Sequence, residues 1–158
     1  MEKLRIYIDM DGVLANFQKA ADKLSSNLPD NVSKKVKMDE VLNFSHFEPM
    51  PGAIESVREL IELGHDVFIA STAPWNNPAA WGQKRDWIEE HLPELSRKVF
   101  LTHRKDLLIG DILIDDSNYR GQPDFKGTWI WFGQYGYDWP KTVETIKMLT
   151  PISNYMDQ

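Results

Sequence analysis

The sequence predicts an α/β fold in which a parallel β-sheet is covered by helices on both faces. Short apolar runs rich in β-branched residues alternate along the chain with segments of helical periodicity. Glycine and proline mark the ends of several segments, as Pro51 and Gly64 do for one helix. Strands that alternate with helices in this order are typical of a parallel sheet between helical layers.

Five strands are predicted from short apolar runs, beginning with "LRIYI" near the start of the chain. The runs "DVFIA", "KVFL" and "ILI" follow, and the aromatic run "GTWIWF" is the last. Runs of this length and composition indicate buried strands. The predicted strands span residues 4–8, 66–70, 98–101, 112–114 and 127–132.

Four helical segments are predicted from the spacing of apolar residues. The first follows the first strand, where helical spacing connects Leu14, Phe17, Ala21, Leu24 and Leu28. Segments 51–64 and 79–92 each place apolar residues on one side, and segment 140–149 begins with a proline. Segment 29–49 between them is polar and only weakly periodic.

Composition narrows the classes of function. The 158 residues fit one domain, and a net charge of -6 without a Lys/Arg stripe argues against a nucleic-acid polymer or an anionic membrane as partner. The absence of cysteine excludes disulfides, thiolate zinc sites and cysteine nucleophiles. The apolar run at the N-terminus is too short for a signal peptide, so we expect a soluble, cytoplasmic protein.

Polar and charged side chains follow four of the predicted strands. Ligands of parallel sheets bind outside the carboxyl ends of the strands, near a point where the strand order reverses. Several acidic groups could converge there, which is costly unless a cation lies among them, and all-oxygen ligation suits Mg²⁺. The strand-end residues are Asp9 and Asp11, Ser71 and Thr72, Lys105, and Asp115 and Asp116.

Each of these residues also has an ordinary structural interpretation. Asp115 and Asp116 alone could be turn residues, and Lys105 alone could be a solvated surface lysine. Lys84 competes with Lys105 for the cationic role, but it lies within a predicted helix and ranks second. The coincidence of all these features at strand ends in one chain favours a functional site.

The motifs in their order resemble the haloacid dehalogenase superfamily of phosphohydrolases, and most closely the 5'(3')-deoxyribonucleotidases. The resemblance lies in "DMDGVLANF" (9–17), "PMPGAIESVREL" (49–60), "FIASTAP" (68–74) and "KDLLIGDILIDD" (105–116). It implies a Rossmann-like sheet with a small helical cap inserted after the first strand, at about residues 18–48. It further implies a single domain over residues 1–158.

The resemblance also implies a reaction at the strand ends. Asp9 is the expected nucleophile and forms an aspartyl-phosphate, and Asp11 is the expected acid and base for the leaving alcohol and for water. Thr72 and Lys105 bind phosphoryl oxygens together with Asp11. The implied Mg²⁺ ligands are Asp9, the backbone carbonyl of Asp11, and Asp116, with Asp115 orienting that shell.

Three functions compete at this stage. The first is a Mg²⁺-dependent phosphatase for (deoxy)ribonucleoside monophosphates. The second keeps the chemistry but takes a sugar phosphate or another small phosphoester. The third is a receiver-type signalling domain, which the position of the paired acids after the lysine argues against. The expected partner is a small phosphomonoester, with a deoxynucleotide the favoured one, and a homodimer is left open.

Phe17 is the predicted contact for a nucleotide base. It lies one short helical step beyond Gly12 and resembles an aromatic position of the family that contacts the nucleotide. The alternative is that Phe17 belongs to the apolar stripe of the first helix. Phe44 and Phe47 are candidates for the cap side of the same pocket.

Overall fold

The computed structural model describes residues 2–150, so the domain predicted over 1–158 extends into Met1 and residues 151–158, which lie outside the described part. A five-stranded parallel sheet has the order β3-β2-β1-β4-β5. All five predicted strands are confirmed, each within one residue at either end. They are β1 (Arg5–Ile8), β2 (Asp66–Ser71), β3 (Val99–Leu101), β4 (Ile112–Asp115) and β5 (Thr128–Trp131).

The strand order reverses at β1, which places the polar strand ends side by side. Ile8 at the end of β1 pairs with Ile69 of β2 on one side and with Ile114 of β4 on the other. Chain connections from β1 run outward through β2 to β3, and then return across the sheet to β4. This is the switch point at which parallel sheets bind ligands.

Residues 2–150 form six α-helices and four short 3-10 helices, of which the last α-helix follows β5. The helices predicted over 51–64, 79–92 and 140–149 are confirmed as α4 to α6. The α-helices are α1 (Phe17–Ser26), α2 (Asp30–Ser33), α3 (Met38–Val41), α4 (Ala53–Glu62), α5 (Pro78–His91) and α6 (Trp139–Leu149). The 3-10 helices are Phe44–His46, Pro93–Leu95, Lys105–Leu107 and Gln122–Asp124.

The first helix is shorter than its apolar spacing predicts. The predicted stripe from Leu14 to Leu28 is wrong at both ends, because α1 covers only Phe17–Ser26. Leu14 lies instead in a tight turn, where its N–H donates to the Met10 carbonyl at 2.8 Å. The Asn16 side chain then caps α1 by accepting from the Lys19 N–H at 3.1 Å.

The two faces of the sheet are covered differently. Ile6 and Ile8 face the main core, to which α4, α5 and α6 contribute their buried residues. Tyr7 points to the opposite face, as the alternation along a strand requires, and belongs to a smaller cluster with Phe125. The parallel α/β architecture is therefore confirmed. Within residues 2–150, Leu108 and Phe125, which follow the 3-10 helices Lys105–Leu107 and Gln122–Asp124, pack in the cluster on the second face.

Within residues 2–150, no helix is both long and apolar enough to cross a lipid bilayer.

Candidate active site

The turn after β1 holds Asp9 and Asp11 at the edge of a pocket. The Asp9 N–H donates to the Ile114 carbonyl of β4 at 2.9 Å, which fixes the end of β1 against its neighbour. Met10 between the two acids is buried in the main core, whereas both carboxylates line the pocket. The chain then turns at Gly12, whose φ of 78° favours glycine. A side chain at Gly12 would also collide with the Asp116 carboxylate.

Lys105 connects two of the acidic strand ends. Its Nζ lies 3.0 Å from Asp9 Oδ1 and forms a second ion pair with Asp115 Oδ2, and the residue is 2% exposed. Burial opposes the charged form of this lysine, but the carboxylates of Asp9 and Asp115 outweigh it and raise the pKa of Lys105. A permanent positive charge is thus held against the Asp9 side chain.

Three carboxylates converge where a cation would fit. Single oxygens of Asp9, Asp115 and Asp116 lie within 4.8 Å of one another. Burial and the negative charge of Asp9 raise the pKa of Asp115 to about 6. Burial and the negative charges of Asp9 and Asp115 raise the pKa of Asp116 to about 8. Such crowding disfavours full ionisation unless a cation is present, and an all-oxygen donor set is what hard divalent cations bind.

Within this cluster Asp115 already has both carboxylate oxygens engaged. Its Oδ2 pairs with Lys105, and its Oδ1 accepts from the Ser117 N–H at 3.0 Å. In the described part of the chain, the Asp116 carboxylate accepts only a long hydrogen bond, at 3.5 Å from the Ser117 hydroxyl, and lies close to the turn at Gly12. These contacts fit a supporting role for Asp115 and a ligand role for Asp116. This cluster consists of side-chain oxygens only. The predicted role of the Asp11 backbone carbonyl as a metal ligand therefore stays a prediction.

Asp11 forms an ion pair with Lys84, the second candidate for the cationic role. Lys84 Nζ lies 2.9 Å from Asp11 Oδ2 and 2.9 Å from the Ser71 hydroxyl oxygen, and the residue is fully buried. The sequence did contain a signal for this burial. Lys84 stands between Ala80 and Trp87 on the face of α5 that packs against the core, where a lysine needs a partner.

The surroundings of Asp11 favour its protonated form. Burial raises the pKa of Asp11 above its usual range, the charge of Lys84 lowers it in part, and that of Asp9 raises it. Its Oδ1 is buried and has no hydrogen-bond partner among the described residues. A carboxyl group with a raised pKa is better suited than an ordinary aspartate to deliver a proton to an oxygen atom in the pocket.

Thr72 lines the pocket as predicted, but its hydroxyl is already engaged. Its Oγ1 donates to the Thr102 carbonyl at 2.7 Å and accepts from the Arg104 N–H at 2.9 Å. The Thr72 hydroxyl could therefore donate to a phosphoryl oxygen only if its hydrogen bond to the Thr102 carbonyl breaks. Its role in phosphate binding stays a prediction.

These strand ends open into a pocket of about 570 Å³. One wall comes from the start of α1 and from α3, with Phe17, Gln18, Met38 and Asp39. The other comes from the loop after β4. Of the sequence-predicted site residues, those that line the pocket are Asp9, Asp11, Phe17, Thr72, Lys105 and Asp116.

Phe17 is half-buried, and it contacts both the pocket and the apolar core. Its ring forms part of the pocket wall and also packs at 5.7 Å from the Phe47 ring, edge to face. The expectation that Phe44 and Phe47 reach the pocket is wrong. They are 1% and 3% exposed and stand behind Phe17 in the core, because the 3-10 helix Phe44–His46 packs against α5.

The fold is of the haloacid dehalogenase type. The fold is shared with the solved, magnesium-bound structure of YfnB from Bacillus subtilis, assigned to the HAD-hydrolases. That structure has a TM-score of 0.59 at 13% identity and covers 96% of this chain and 100% of its own. The sequence model for "5' nucleotidase, deoxy (Pyrimidine), cytosolic type C protein" matches residues 35–138. The chain belongs to this family of phosphoric monoester hydrolases.

Two curated relatives illustrate the similarity. A Vibrio phage KVP40 protein assigned as a 5'(3')-deoxyribonucleotidase is 39% identical over 141 residues, covering 87% of this chain and 81% of its own length. The human cytosolic-type 5'(3')-deoxyribonucleotidase is 31% identical over 150 residues, covering 77% of this chain and 75% of its own length.

Proposed function

We propose that this protein is a Mg²⁺-dependent phosphatase that hydrolyses deoxyribonucleoside monophosphates through a covalent intermediate on Asp9. The observation that carries the proposal is the placement of Asp9 between Lys105, with Nζ at 3.0 Å, and Asp116, beside the Lys84-paired Asp11. The deoxyribonucleotide class follows from the names of the relatives at 31% and 39% identity.

The first step is attack by Asp9 on the phosphorus atom. An oxygen of Asp9 forms a bond to phosphorus as the bond from phosphorus to the ester oxygen breaks, and Asp11 gives its proton to that oxygen. The leaving nucleoside is thus released as a neutral alcohol. The raised pKa of Asp11 suits it to this donation.

The second step releases phosphate. Asp11, now a carboxylate, takes a proton from a water molecule, whose oxygen attacks the phosphorus of the aspartyl-phosphate. The bond between phosphorus and Asp9 breaks, which restores the Asp9 carboxylate. Lys84 stabilises the carboxylate form of Asp11 between the two steps, since the two groups form an ion pair at 2.9 Å.

Charge must be neutralised for a carboxylate to approach a phosphate dianion. Two like unit charges 4 Å apart repel by about 4 kcal/mol at an effective dielectric constant of 20. Lys105 provides one positive charge against Asp9. Asp9, Asp116 and the Asp11 carbonyl would hold Mg²⁺, which when bound would neutralise further charge on the phosphoryl oxygens. Thr72 would add a hydroxyl donor.

The substrate base is proposed to lie against Phe17, below a cap formed by residues 18–48. This segment is tied to the rest of the fold through the loop after β2. The Asn77 amide donates to the Asp39 carbonyl at 3.1 Å and to the Leu42 carbonyl at 3.2 Å, and the Trp87 indole donates to the Phe47 carbonyl at 2.8 Å.

The cytosolic type named for the human relative supports a cytoplasmic location.

A panel of phosphomonoesters tests the proposal. Phosphate release is measured with Mg²⁺ for deoxyribonucleoside 5'- and 3'-monophosphates, ribonucleoside monophosphates, sugar phosphates and an aryl phosphate. The proposal predicts the highest kcat/KM on deoxyribonucleoside monophosphates, and loss of activity in chelator. A clear preference for sugar phosphates would contradict the nucleotide assignment, and undiminished turnover in chelator would contradict the metal requirement.

A further inference from the structure

The pocket wall contains a buried amide group that the proposed reaction does not yet use. Gln122 is 0% exposed and begins the 3-10 helix Gln122–Asp124, after the loop that leaves β4. It follows Gly121, whose φ of 93° and close approach to Asp106 leave no room for a side chain at that position. The turn at Gly121 thus directs the following residue into the interior.

The orientation of the Gln122 amide is fixed by one hydrogen bond. Its Oε1 accepts from the Arg120 N–H at 2.7 Å. A backbone N–H can only be matched by the amide oxygen, so the NH₂ group must point the other way. No described residue accepts from that Nε2, although the atom is buried. A buried donor without an acceptor costs free energy, which a ligand oxygen can recover.

The backbone contacts of Arg120 connect Gln122 to the segment that carries Lys105. The Lys105 N–H donates to the Arg120 carbonyl at 2.8 Å, while the Arg120 N–H donates to Gln122. The two 3-10 helices that hold Lys105 and Gln122 also contact each other. The Lys105 side chain ends on Asp9, and Gln122 and Lys105 both line the same pocket.

We propose that Gln122 is a substrate-binding residue whose Nε2 donates a hydrogen bond to a phosphoryl oxygen. This inference rests on the proposed phosphatase function and deepens it. The phosphoryl group has three terminal oxygens that need donors, and the Thr72 hydroxyl is engaged with the Thr102 carbonyl. The Gln122 amide supplies a donor that is held in place before substrate arrives.

Two substitutions separate this role from a structural one. Gln122→Met removes both the donor and the acceptor for Arg120 at nearly constant volume. Gln122→Glu keeps an acceptor for the Arg120 N–H, but it replaces the donor by an oxygen atom and adds a negative charge. A purely structural amide therefore predicts a lower Tm in the methionine variant with phosphate affinity unchanged in the folded protein, whereas a phosphate donor predicts weaker phosphate binding in both variants.

The experiment measures binding of inorganic phosphate by calorimetry, kcat/KM on a deoxyribonucleotide and on an aryl phosphate, and thermal unfolding. We expect both variants to bind phosphate roughly 10- to 100-fold more weakly, because a hydrogen bond to a charged group is lost. Both substrates should lose kcat/KM by similar factors, since they share only the phosphoryl group.

Unchanged phosphate affinity in Gln122→Met, or a defect in Gln122→Met that Gln122→Glu does not show, would overturn the inference. A loss on the nucleotide alone would also overturn it, because the donor would then serve the sugar or base. If Gln122→Met does not fold, Gln122→Asn takes its place, because it withdraws the amide donor by one methylene group without adding a charge. A wild-type protein that binds phosphate but hydrolyses no nucleotide would contradict the proposed function and leave the binding comparison valid.

Discussion

Lys84 Nζ lies 2.9 Å from Asp11 Oδ2, so a fully buried lysine of helix α5 is paired with an acid of the β1 turn. This ion pair joins two parts of the chain that are 73 residues apart in sequence. It also makes α5 part of the catalytic apparatus that we propose, because Lys84 sets how readily Asp11 gives up its proton.

Replacement of Lys84 by methionine should shift the pH dependence of catalysis. The positive charge of Lys84 lowers the pKa of Asp11, so its removal raises that pKa further. Asp11 then keeps its proton to higher pH, and the basic limb of the kcat/KM profile should move upward. Arg85→Met is the matched control, since Arg85 pairs with Asp86 on the surface. A basic limb at the wild-type position would contradict the role assigned to Lys84.

Substitution of Asp9 by asparagine should abolish turnover without loss of the fold. The change is nearly isosteric and removes the nucleophilic carboxylate, so we expect kcat to fall by roughly 10³- to 10⁶-fold. Circular dichroism and thermal unfolding provide the check on the fold. Residual activity close to wild type would mean that Asp9 does not form the covalent intermediate.

Asp116→Asn should have opposite effects on metal binding and on the stability of the metal-free protein. Burial and the negative charges of Asp9 and Asp115 disfavour the Asp116 carboxylate, so the neutral amide relieves repulsion in the absence of a cation. We therefore expect an unchanged or higher Tm in chelator, together with weaker Mg²⁺ binding by calorimetry. Turn residues without a metal role would give no change in Mg²⁺ affinity.

Phe17→Ala should discriminate between substrates. Stacking of a base on an aromatic ring contributes roughly 1–3 kcal/mol, which corresponds to a loss of roughly 5- to 150-fold in kcat/KM for a nucleotide. An aryl phosphate without sugar and base should lose much less. Phe47→Leu is the control, because Phe47 is buried behind Phe17 and should affect stability alone. Equal losses on both substrates would identify Phe17 as a core residue.

Stability should fall as the solution becomes acidic, through His65. This residue is 5% exposed, its Nδ1 accepts from the Leu4 N–H at 3.1 Å, and burial lowers its pKa from the ordinary 6.5. The unfolded chain then binds a proton at a pH where the folded protein does not, so the free energy of unfolding decreases as pH falls below about 6.5.

Urea unfolding at pH 7.5 and 5.5 measures this effect. His65→Gln should reduce the difference in stability between the two pH values, whereas His46→Gln, at an exposed position of the 3-10 helix Phe44–His46, should not. An unchanged pH dependence in His65→Gln would assign the acid sensitivity to other groups.

The strands and their polar ends could be predicted from sequence because both follow local rules. Short apolar runs such as residues 4–8 identify strands, and parallel topology brings the acids after β1 and β4 to one edge. The ion-pair partner of Asp11 does not follow from a local rule. Lys84 interrupts the apolar face of α5, and only its contact with the turn after β1 shows which carboxylate it meets.

Other features depend on tertiary contacts that no local pattern encodes. The sequence offers Phe44 and Phe47 as candidates for the pocket, but whether an aromatic residue of a weakly periodic segment faces a cavity or the core depends on how that segment packs. Gln122 lies in an irregular loop, where a glutamine is ordinary and only its buried, unpartnered amide distinguishes it. Its signal is the adjacent Gly121, which a sharp turn requires.

The stereochemical course at phosphorus tests the central claim most directly. The substrate is a deoxyribonucleoside monophosphate whose phosphorus is made chiral with sulfur and oxygen isotopes, and the configuration of the released thiophosphate is determined after hydrolysis. Attack by Asp9 followed by attack of water inverts phosphorus twice, so the account predicts overall retention. Overall inversion would show a single direct displacement by water, and would contradict a covalent intermediate on Asp9.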